Sequence, residues 1–307
     1  MEAVVTKTKH PIRFWAIFLG SAVVTGLVTG FVLLRMLKPD AVEYVGSADA
    51  YEMDVEAAMT KYEKVKSKGN LHTALTPEEM IAVGYAKFAK EEANYSVGVG
   101  YTQAAMVRQS ITSRTVKMGE RFFEESNSEG MINIHDRMFQ EGDSTVKYWG
   151  ATEDYASNPV VTISNEDYKK EMGRNVSDPL SYTVSPATLI ASSPVGDPDN
   201  GIYQENGGYR VEVNLDPIYG VTKYQCQMQS ISSLKLKPEF EYVHLTVTLD
   251  EDCNLIKMAT HEKYFATTNF GVGSNAEGRL VTAYYHEAPS FGFPSPGSIL
   301  PDFPSSL

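Results

Sequence analysis

The feature that most constrains this chain is a run of twenty-one residues without a charge, Phe14 to Leu34. At about 1.5 Å rise per residue, a helix of this length crosses the roughly 30 Å hydrocarbon core of a bilayer. We therefore predict a transmembrane helix over residues 14–37, with the membrane itself as a partner through residues 14–34.

The charges that flank this run predict its orientation. Lys7, Lys9 and Arg13 precede it, whereas the chain beyond it turns acidic at Asp40 and Glu43. Positive charge favours the cytoplasmic side, so we expect residues 1–13 to form a cytoplasmic tail and the remainder to lie outside the cytoplasm. The protein is then a single-pass plasma-membrane protein.

A cleaved signal peptide is the alternative to a retained anchor. Such a peptide needs an apolar run of about 7–15 residues and a small-residue cleavage site directly after it. Ala48-Asp49-Ala50 has the right pattern but lies well beyond Leu34. The length of the run therefore favours the anchor.

Three small residues recur at every fourth position of the anchor. Ala22, Gly26 and Gly30 fall on one helix face and would let two helices approach closely. This spacing predicts transmembrane helix packing and a homodimer. The alternative is that these are ordinary small residues of a membrane span.

The part of the chain beyond the anchor is strongly acidic. Residues 1–38 hold five Lys and Arg and one acid, so residues 39–307 hold 27 − 5 = 22 bases and 39 − 1 = 38 acids. A net charge of −16 disfavours binding to phosphate backbones, and we predict no nucleic-acid partner. The 42% hydrophobic content indicates a packed domain instead of a disordered one.

Periodicity predicts an α+β fold. Thr76-Pro77-Glu78-Glu79 combines an N-cap, a proline at the first helical position and a capping-box glutamate, which predicts a helix from there to about Glu92. Further helices are predicted near 54–69, from Asn165 to Gly173 and from Asp216 onward. The remaining segments alternate with a period of two and predict strands near 94–101, 106–118, 120–125, 131–139, 145–150, 159–164, 209–215, 242–249 and 279–286, with a return strand after the turn at Asp250–Asn254.

These elements predict a large curved antiparallel sheet, like half of a barrel, covered by two or three helices and preceded by one transmembrane helix. Residues 38–70 are expected to form a juxtamembrane connector and short helix, and residues 71–288 the extracytoplasmic α+β domain. Residues 289–307 contain five prolines, so we expect an extended strap or a disordered end. The covered face of the sheet would be either a cavity for an apolar ligand or a plain core.

The search for catalytic residues assigns none. Histidine and acid are adjacent in His135-Asp136, His261-Glu262 and His286-Glu287, and neighbours in a strand point to opposite faces, so they cannot easily share a metal or a proton. His244 falls on the polar face of its strand. The sequence has no catalytic motif, and Asp197 to Gly201 lacks the spacing of a calcium loop. We therefore predict no catalytic, cofactor or metal residue, and Cys226 and Cys253 remain either one disulfide or two free thiols.

Several segments carry a resemblance to known proteins: Leu75 to Glu79, Ile163 to Gly173, Tyr182 to Ile190, Val211 to Gln229 and Pro238 to Met258. They resemble uncharacterised membrane-attached proteins of Gram-positive bacteria. Those proteins are similar in architecture to the LolA and LppX group of lipoprotein and lipid carriers. The resemblance implies a half-barrel sheet that encloses helices and an apolar cavity.

Three functions are open at this point. The first is a membrane-anchored extracytoplasmic binding protein, not an enzyme, whose partner is a lipid or other apolar ligand, or a protein. The second is a scaffolding subunit of a cell-envelope assembly, in which Ala22, Gly26, Gly30 and the proline-rich tail would make the contacts. The third is an unfamiliar hydrolase.

Overall fold

The structure is a computed structural model, and it describes residues 54–104, 107–130, 133–150, 153–172, 192–194, 201–215, 224–225, 228–229, 234–267 and 271–307. Ala22, Gly26 and Gly30 lie outside these ranges, as does most of the helix predicted from Asp216. Within these ranges, no helix has the length and apolar character needed to cross a bilayer. The membrane anchor and the domain boundaries stay predictions.

Four α-helices and twelve strands occur in the described residues. The helices are α1 (Val55–Val65), α2 (Leu71–Ala74), α3 (Pro77–Lys90) and α4 (Asn165–Met172), with 3-10 turns at Lys66–Lys68 and Tyr155–Ser157. The strands are β1 (Ala93–Ala104), β2 (Val107–Met118), β3 (Arg121–Glu129), β4 (Ile134–Glu141), β5 (Ser144–Gly150), β6 (Val160–Ser164), β7 (Ser192–Pro194), β8 (Ile202–Glu205), β9 (Gly208–Leu215), β10 (Glu239–Leu249), β11 (Leu255–Thr267) and β12 (Gly273–Tyr285).

All twelve strands belong to one antiparallel sheet. Its order is β6-β5-β4-β3-β2-β1-β12-β11-β10-β9-β7, and β8 also pairs with β9. The first and last long strands meet in its middle, where Tyr95 pairs with Tyr285. The predicted large antiparallel sheet is thus confirmed, and it is open, with β6 at one end and β7 at the other.

We call the face that packs against the helices the inner face and the opposite one the outer face. On the inner face, β9 and β10 bury the alternating apolar residues that the sequence predicted, Val211, Val213, Val243, Leu245 and Val247. A second, smaller cluster lies at the other end of the sheet, where Tyr168 of α4 packs with Phe122 and Met138.

Helix α3 forms the centre of the main core, because most of its residues are buried. Met80, Ile81, Val83 and Phe88 are almost fully buried, between the sheet and α1. The predicted capping box begins this helix: the Glu79 backbone N–H donates to Thr76 Oγ1, and the Thr76 N–H donates to Glu79 Oε2 at 2.8 Å.

Thr76→Ala should lower the free energy of unfolding by about 1 kcal/mol, since it removes the side-chain acceptor of this cap. Urea denaturation would measure the change. Thr162→Ala, at an exposed position of β6, is the matched control and should have almost no effect. An equal loss in both variants would contradict the role given to the cap.

The proline-rich tail is an ordered strap on the outer face. The Arg137 guanidinium donates to the carbonyl oxygens of Pro296 and Ser298, and Arg114 donates to that of Pro301 at 2.6 Å. The Phe303 ring lies 4.4 Å from the Arg114 guanidinium. Of the two forms predicted for this tail, the extended strap is therefore the one that occurs.

Candidate functional site

A strip of small side chains runs along the inner face where β12 pairs with β1. Thr102 lies opposite Gly278, Gly100 opposite Leu280, and Ala104 opposite Ala276. A side chain at Gly100 would not fit, because its Cβ would lie 2.1 Å from the carbonyl oxygen of Arg279. The residues along this part of the inner face are small except at Leu280, and we call them the small-residue strip (Gly98, Gly100, Thr102, Ala104, Ala276, Gly278 and Thr282).

Glu262 of β11 stands at the edge of the small-residue strip and is only 6% exposed. Gly278 lies directly opposite it, and a Cβ there would be 2.7 Å from Glu262 Oε1. The Tyr224 hydroxyl donates to Oε1 at 2.9 Å, whereas Oε2 is buried and has no hydrogen-bond partner among the described residues. Gly278 therefore provides the space that this carboxyl group occupies.

The environment of Glu262 favours its neutral form. Burial raises the pKa of this carboxyl to about 7, and the hydrogen bond from Tyr224 opposes the shift only in part. A carboxyl group with such a pKa is present near neutral pH both as an acid, which can donate a hydrogen bond, and as a carboxylate, which can only accept.

Aromatic rings surround this carboxyl. The Phe240 ring centroid lies 5.3 Å from those of Tyr224 and Tyr264. Tyr264 is buried, shares a hydrogen bond with Thr102 of the small-residue strip, and has a pKa raised by burial. Aromatic rings with few polar atoms therefore line this side of the strip.

A second unpaired polar atom lies on the same face of β11. Thr260 is two residues from Glu262, and its buried Oγ1 has no hydrogen-bond partner within the described ranges. Leaving a buried polar group unpaired costs about 1–3 kcal/mol, so most such groups in native proteins are satisfied. A surface of apolar groups with a few polar atoms is also the composition of small-molecule sites.

The part of the inner face beneath α3 is solid core. The Tyr85 hydroxyl lies 3.0 Å from the Tyr284 hydroxyl and 3.0 Å from Met258 Sδ, and the Phe88 ring packs edge-on against Tyr284. Burial raises the pKa of both tyrosines. The candidate site is therefore confined to the region around Glu262.

The histidines have the positions that the sequence predicted. His261 and Glu262 point to opposite faces, because His261 contacts Tyr242 and Glu277 on the outer face. His135 and Asp136 are separated in the same way, since Asp136 pairs with Lys147 on the inner face. His244 is half-buried beside Asn214 and lies directly opposite His261 on the outer face, and its pKa is lowered by burial and by that neighbouring imidazole.

The cysteines form no described site. Cys253 is a free, fully buried thiol, and burial raises its pKa to about 12, so it is a poor nucleophile. Cys226 and the segment from Asp197 to Asn200 lie outside the described residues.

A surface depression of about 510 Å³ lies elsewhere, between α2 and the turns that follow β8 and β10. Its lining includes Lys66, Gln204 and Asp252 but not Glu262. It is open and polar, so its chemistry does not match that of the small-residue strip.

The buried acid was missed by the sequence analysis. Glu262 lies in phase with Met258, Thr260 and Tyr264, which are all buried on the inner face, and this alternation was the available signal. The sequence analysis compared Glu262 only with the adjacent His261, and it therefore did not predict that the carboxyl group is buried.

Three solved structures are similar to this one over most of the chain. Lipoprotein LppX of Mycobacterium tuberculosis has 7% identity and a TM-score of 0.33, covering 70% of this chain and 97% of its own. LprF from Mycobacterium bovis has 9% identity and a TM-score of 0.33, with 72% and 97% covered. A DUF1329 family protein from Desulfovibrio piger has 11% identity and a TM-score of 0.25, with 71% and 93% covered.

No protein-family model and no curated protein matches the chain. LppX, one of these neighbours, is the lipoprotein whose group the sequence resemblance names.

Proposed function

We propose that this protein is a membrane-anchored extracytoplasmic binding protein that holds an apolar ligand of the lipid class on the inner face of its sheet. The observation that carries the proposal is the unpaired carboxyl oxygen of Glu262, buried beside the small-residue strip. The ligand's apolar part would lie along the strip, and its polar group would contact Glu262.

The residues at the site favour a ligand that is mostly apolar and carries one polar group. Small side chains and the rings of Phe240 and Tyr264 offer apolar contact, whereas Glu262 and Thr260 offer one polar atom each. An acyl chain with a hydroxyl, carbonyl or amine group satisfies both. No set of nucleophile, base and electrophile is assigned at this site, so the proposed role is binding and not catalysis.

The proposed location follows from the uncharged run at residues 14–34, which is long enough to span a bilayer. With the basic tail in the cytoplasm, the sheet would lie on the outer side of the plasma membrane. A ligand drawn from that membrane would have only a short distance to travel.

The test is native mass spectrometry of residues 39–307, which include every residue that the structure describes, after expression in an exporting bacterial host. Organic extraction then identifies what is bound. We expect one apolar molecule per chain. Thr102→Phe should abolish retention because its ring fills the strip, while Gln103→Phe, on the opposite face of the same strand, should retain the ligand.

A well-folded chain that is empty in every preparation and takes up no added lipid would contradict the proposal. Equal retention by both phenylalanine variants would contradict the proposed position of the ligand while leaving binding itself intact.

The scaffolding alternative requires two contacts, and the proline-rich tail that would make one of them already contacts its own sheet. There, the tail's carbonyl oxygens accept hydrogen bonds from Arg114 and Arg137. The remaining support is the spacing of Ala22, Gly26 and Gly30. Replacing both glycines by leucine would abolish co-purification of partners or self-association if that face assembles.

A further inference from the structure

Two carboxylates and an imidazole converge on the outer face at one end of β3 and β4. An oxygen of Glu129, a ring nitrogen of His135 and an oxygen of Glu153 all lie within 4.8 Å of one another. The three residues are far apart in the sequence, and only the fold brings them together.

Strand pairing and one hydrogen bond hold the three residues in place. Asn127 pairs with His135, so Glu129, two residues further along β3, is the diagonal neighbour of His135 on the same face. The segment that carries Glu153 is held over this face because the Tyr155 hydroxyl donates to Asn127 Oδ1 at 2.7 Å.

His135 is itself incompletely satisfied. It is 2% exposed, and its Nδ1 is buried with no hydrogen-bond partner in the part of the chain that the structure describes. The Tyr155 ring packs edge-on against the imidazole, with centroids 6.0 Å apart, so the ring cannot easily turn towards water. A buried imidazole beside two carboxylates needs a partner, and a cation that accepts nitrogen and oxygen ligands would supply one.

The distances are compatible with a bound ion. Zn–N and Zn–O bonds of about 2.0–2.1 Å in a tetrahedral site place two ligand atoms roughly 3.3 Å apart. The ligand atoms would have to approach by at most about 1.5 Å. Glu129 and Glu153 are exposed, so rotation of their side chains can supply this movement without disturbing the sheet.

We propose that Glu129, His135 and Glu153 form a site for a divalent transition-metal ion of the Zn²⁺ type. The imidazole favours Zn²⁺ over Mg²⁺ and Ca²⁺, which prefer oxygen ligands throughout. Three protein ligands leave one coordination position for water. The ion would link the segment after β5 to β3 and β4. Binding of this ion does not depend on the ligand proposed for the inner face.

The test is titration of metal-free residues 1–307, kept in detergent micelles, with ZnCl₂. Isothermal calorimetry measures binding, and thermal unfolding measures the stabilisation by the ion. Glu129→Gln/Glu153→Gln removes both exposed carboxylates, and His135→Ala removes the imidazole. The matched control is Glu120→Gln/Glu141→Gln, which changes two exposed carboxylates at the opposite end of the same strands.

We expect one Zn²⁺ per chain in the wild type and the control. The affinity should be at least tenfold lower in the double glutamine variant, since even changes outside the direct ligands cost 10–100-fold. Absence of binding to the wild type, or equal binding to the double glutamine variant, would overturn the proposal. Binding of Ca²⁺ in preference to Zn²⁺ would overturn the role of His135. If His135→Ala does not fold, the glutamine variants decide the question alone.

Discussion

Replacing Glu125 by alanine is expected to lower the free energy of unfolding by about 3–5 kcal/mol, because it leaves two buried cations without their shared anion. Glu125 Oε2 accepts from Arg114 at 3.0 Å, and Oε1 accepts from Arg137 Nη2 at 2.7 Å and Nε at 2.9 Å. All three side chains are at most 5% exposed.

Urea denaturation of the wild type and Glu125→Ala would measure this loss. Glu239→Ala, at an exposed position of β10, is the control and should change the free energy of unfolding by less than about 0.5 kcal/mol. A loss below about 1 kcal/mol in Glu125→Ala would mean that the two guanidinium groups find other partners or reach water.

The strap should determine how much stability Glu125→Ala costs, because it shields both arginines from water. Its carbonyl oxygens accept from both arginines, and burial lowers the pKa of Arg114 while Glu125 opposes that shift. In a chain that ends after Glu287, water would reach both guanidinium groups. Glu125→Ala should therefore cost less in the truncated chain than in the full one, as a double-mutant cycle would show. An unchanged cost would mean that the strap does not exclude water.

The free energy of unfolding is also expected to fall by roughly 3 kcal/mol between pH 4.5 and pH 7 because of Glu262. Its pKa rises from an ordinary 4.5 to about 7 in the folded protein. Below pH 4.5 the group is protonated in both states. Between the two values the unfolded chain releases this proton while the folded protein retains it, so the folded state loses relative stability as pH rises.

Urea denaturation across this pH range, compared with Glu262→Gln, isolates this contribution. The glutamine variant keeps the size of the side chain and cannot ionise, so the difference in the free energy of unfolding between it and the wild type should change by roughly 3 kcal/mol. Glu277→Gln, at a partly exposed position on the outer face, should leave the decrease in place. Parallel pH curves for the wild type and Glu262→Gln would contradict the burial of this carboxyl.

Local sequence signals predicted most of the fold. The capping box at Thr76 and the proline at Pro77 begin α3 where expected. Alternation in 209–215 and 242–249 gave strands with the correct buried face. These features depend on contacts between residues close in the chain, so a short segment contains the necessary information.

Neither candidate site could be predicted in this way. Glu262 is buried because Gly278 leaves space for it and Tyr224 bonds to it, and both lie on other segments of the chain. Glu129, His135 and Glu153 converge only after β3, β4 and the segment beyond β5 are in register. The prediction that His135 and Asp136 point to opposite faces was correct, but it identified no site.

By itself, the sequence determined the uncharged run at residues 14–34, the acidic balance beyond it, the helix starts and the phase of the strands, because each depends on local composition or periodicity. Only the tertiary structure decided which charges are buried. Arg114, Glu125 and Arg137 lie directly opposite one another on β2, β3 and β4, and the tail closes over them. Register between strands and the return of a distant segment are long-range contacts, and no local pattern encodes them.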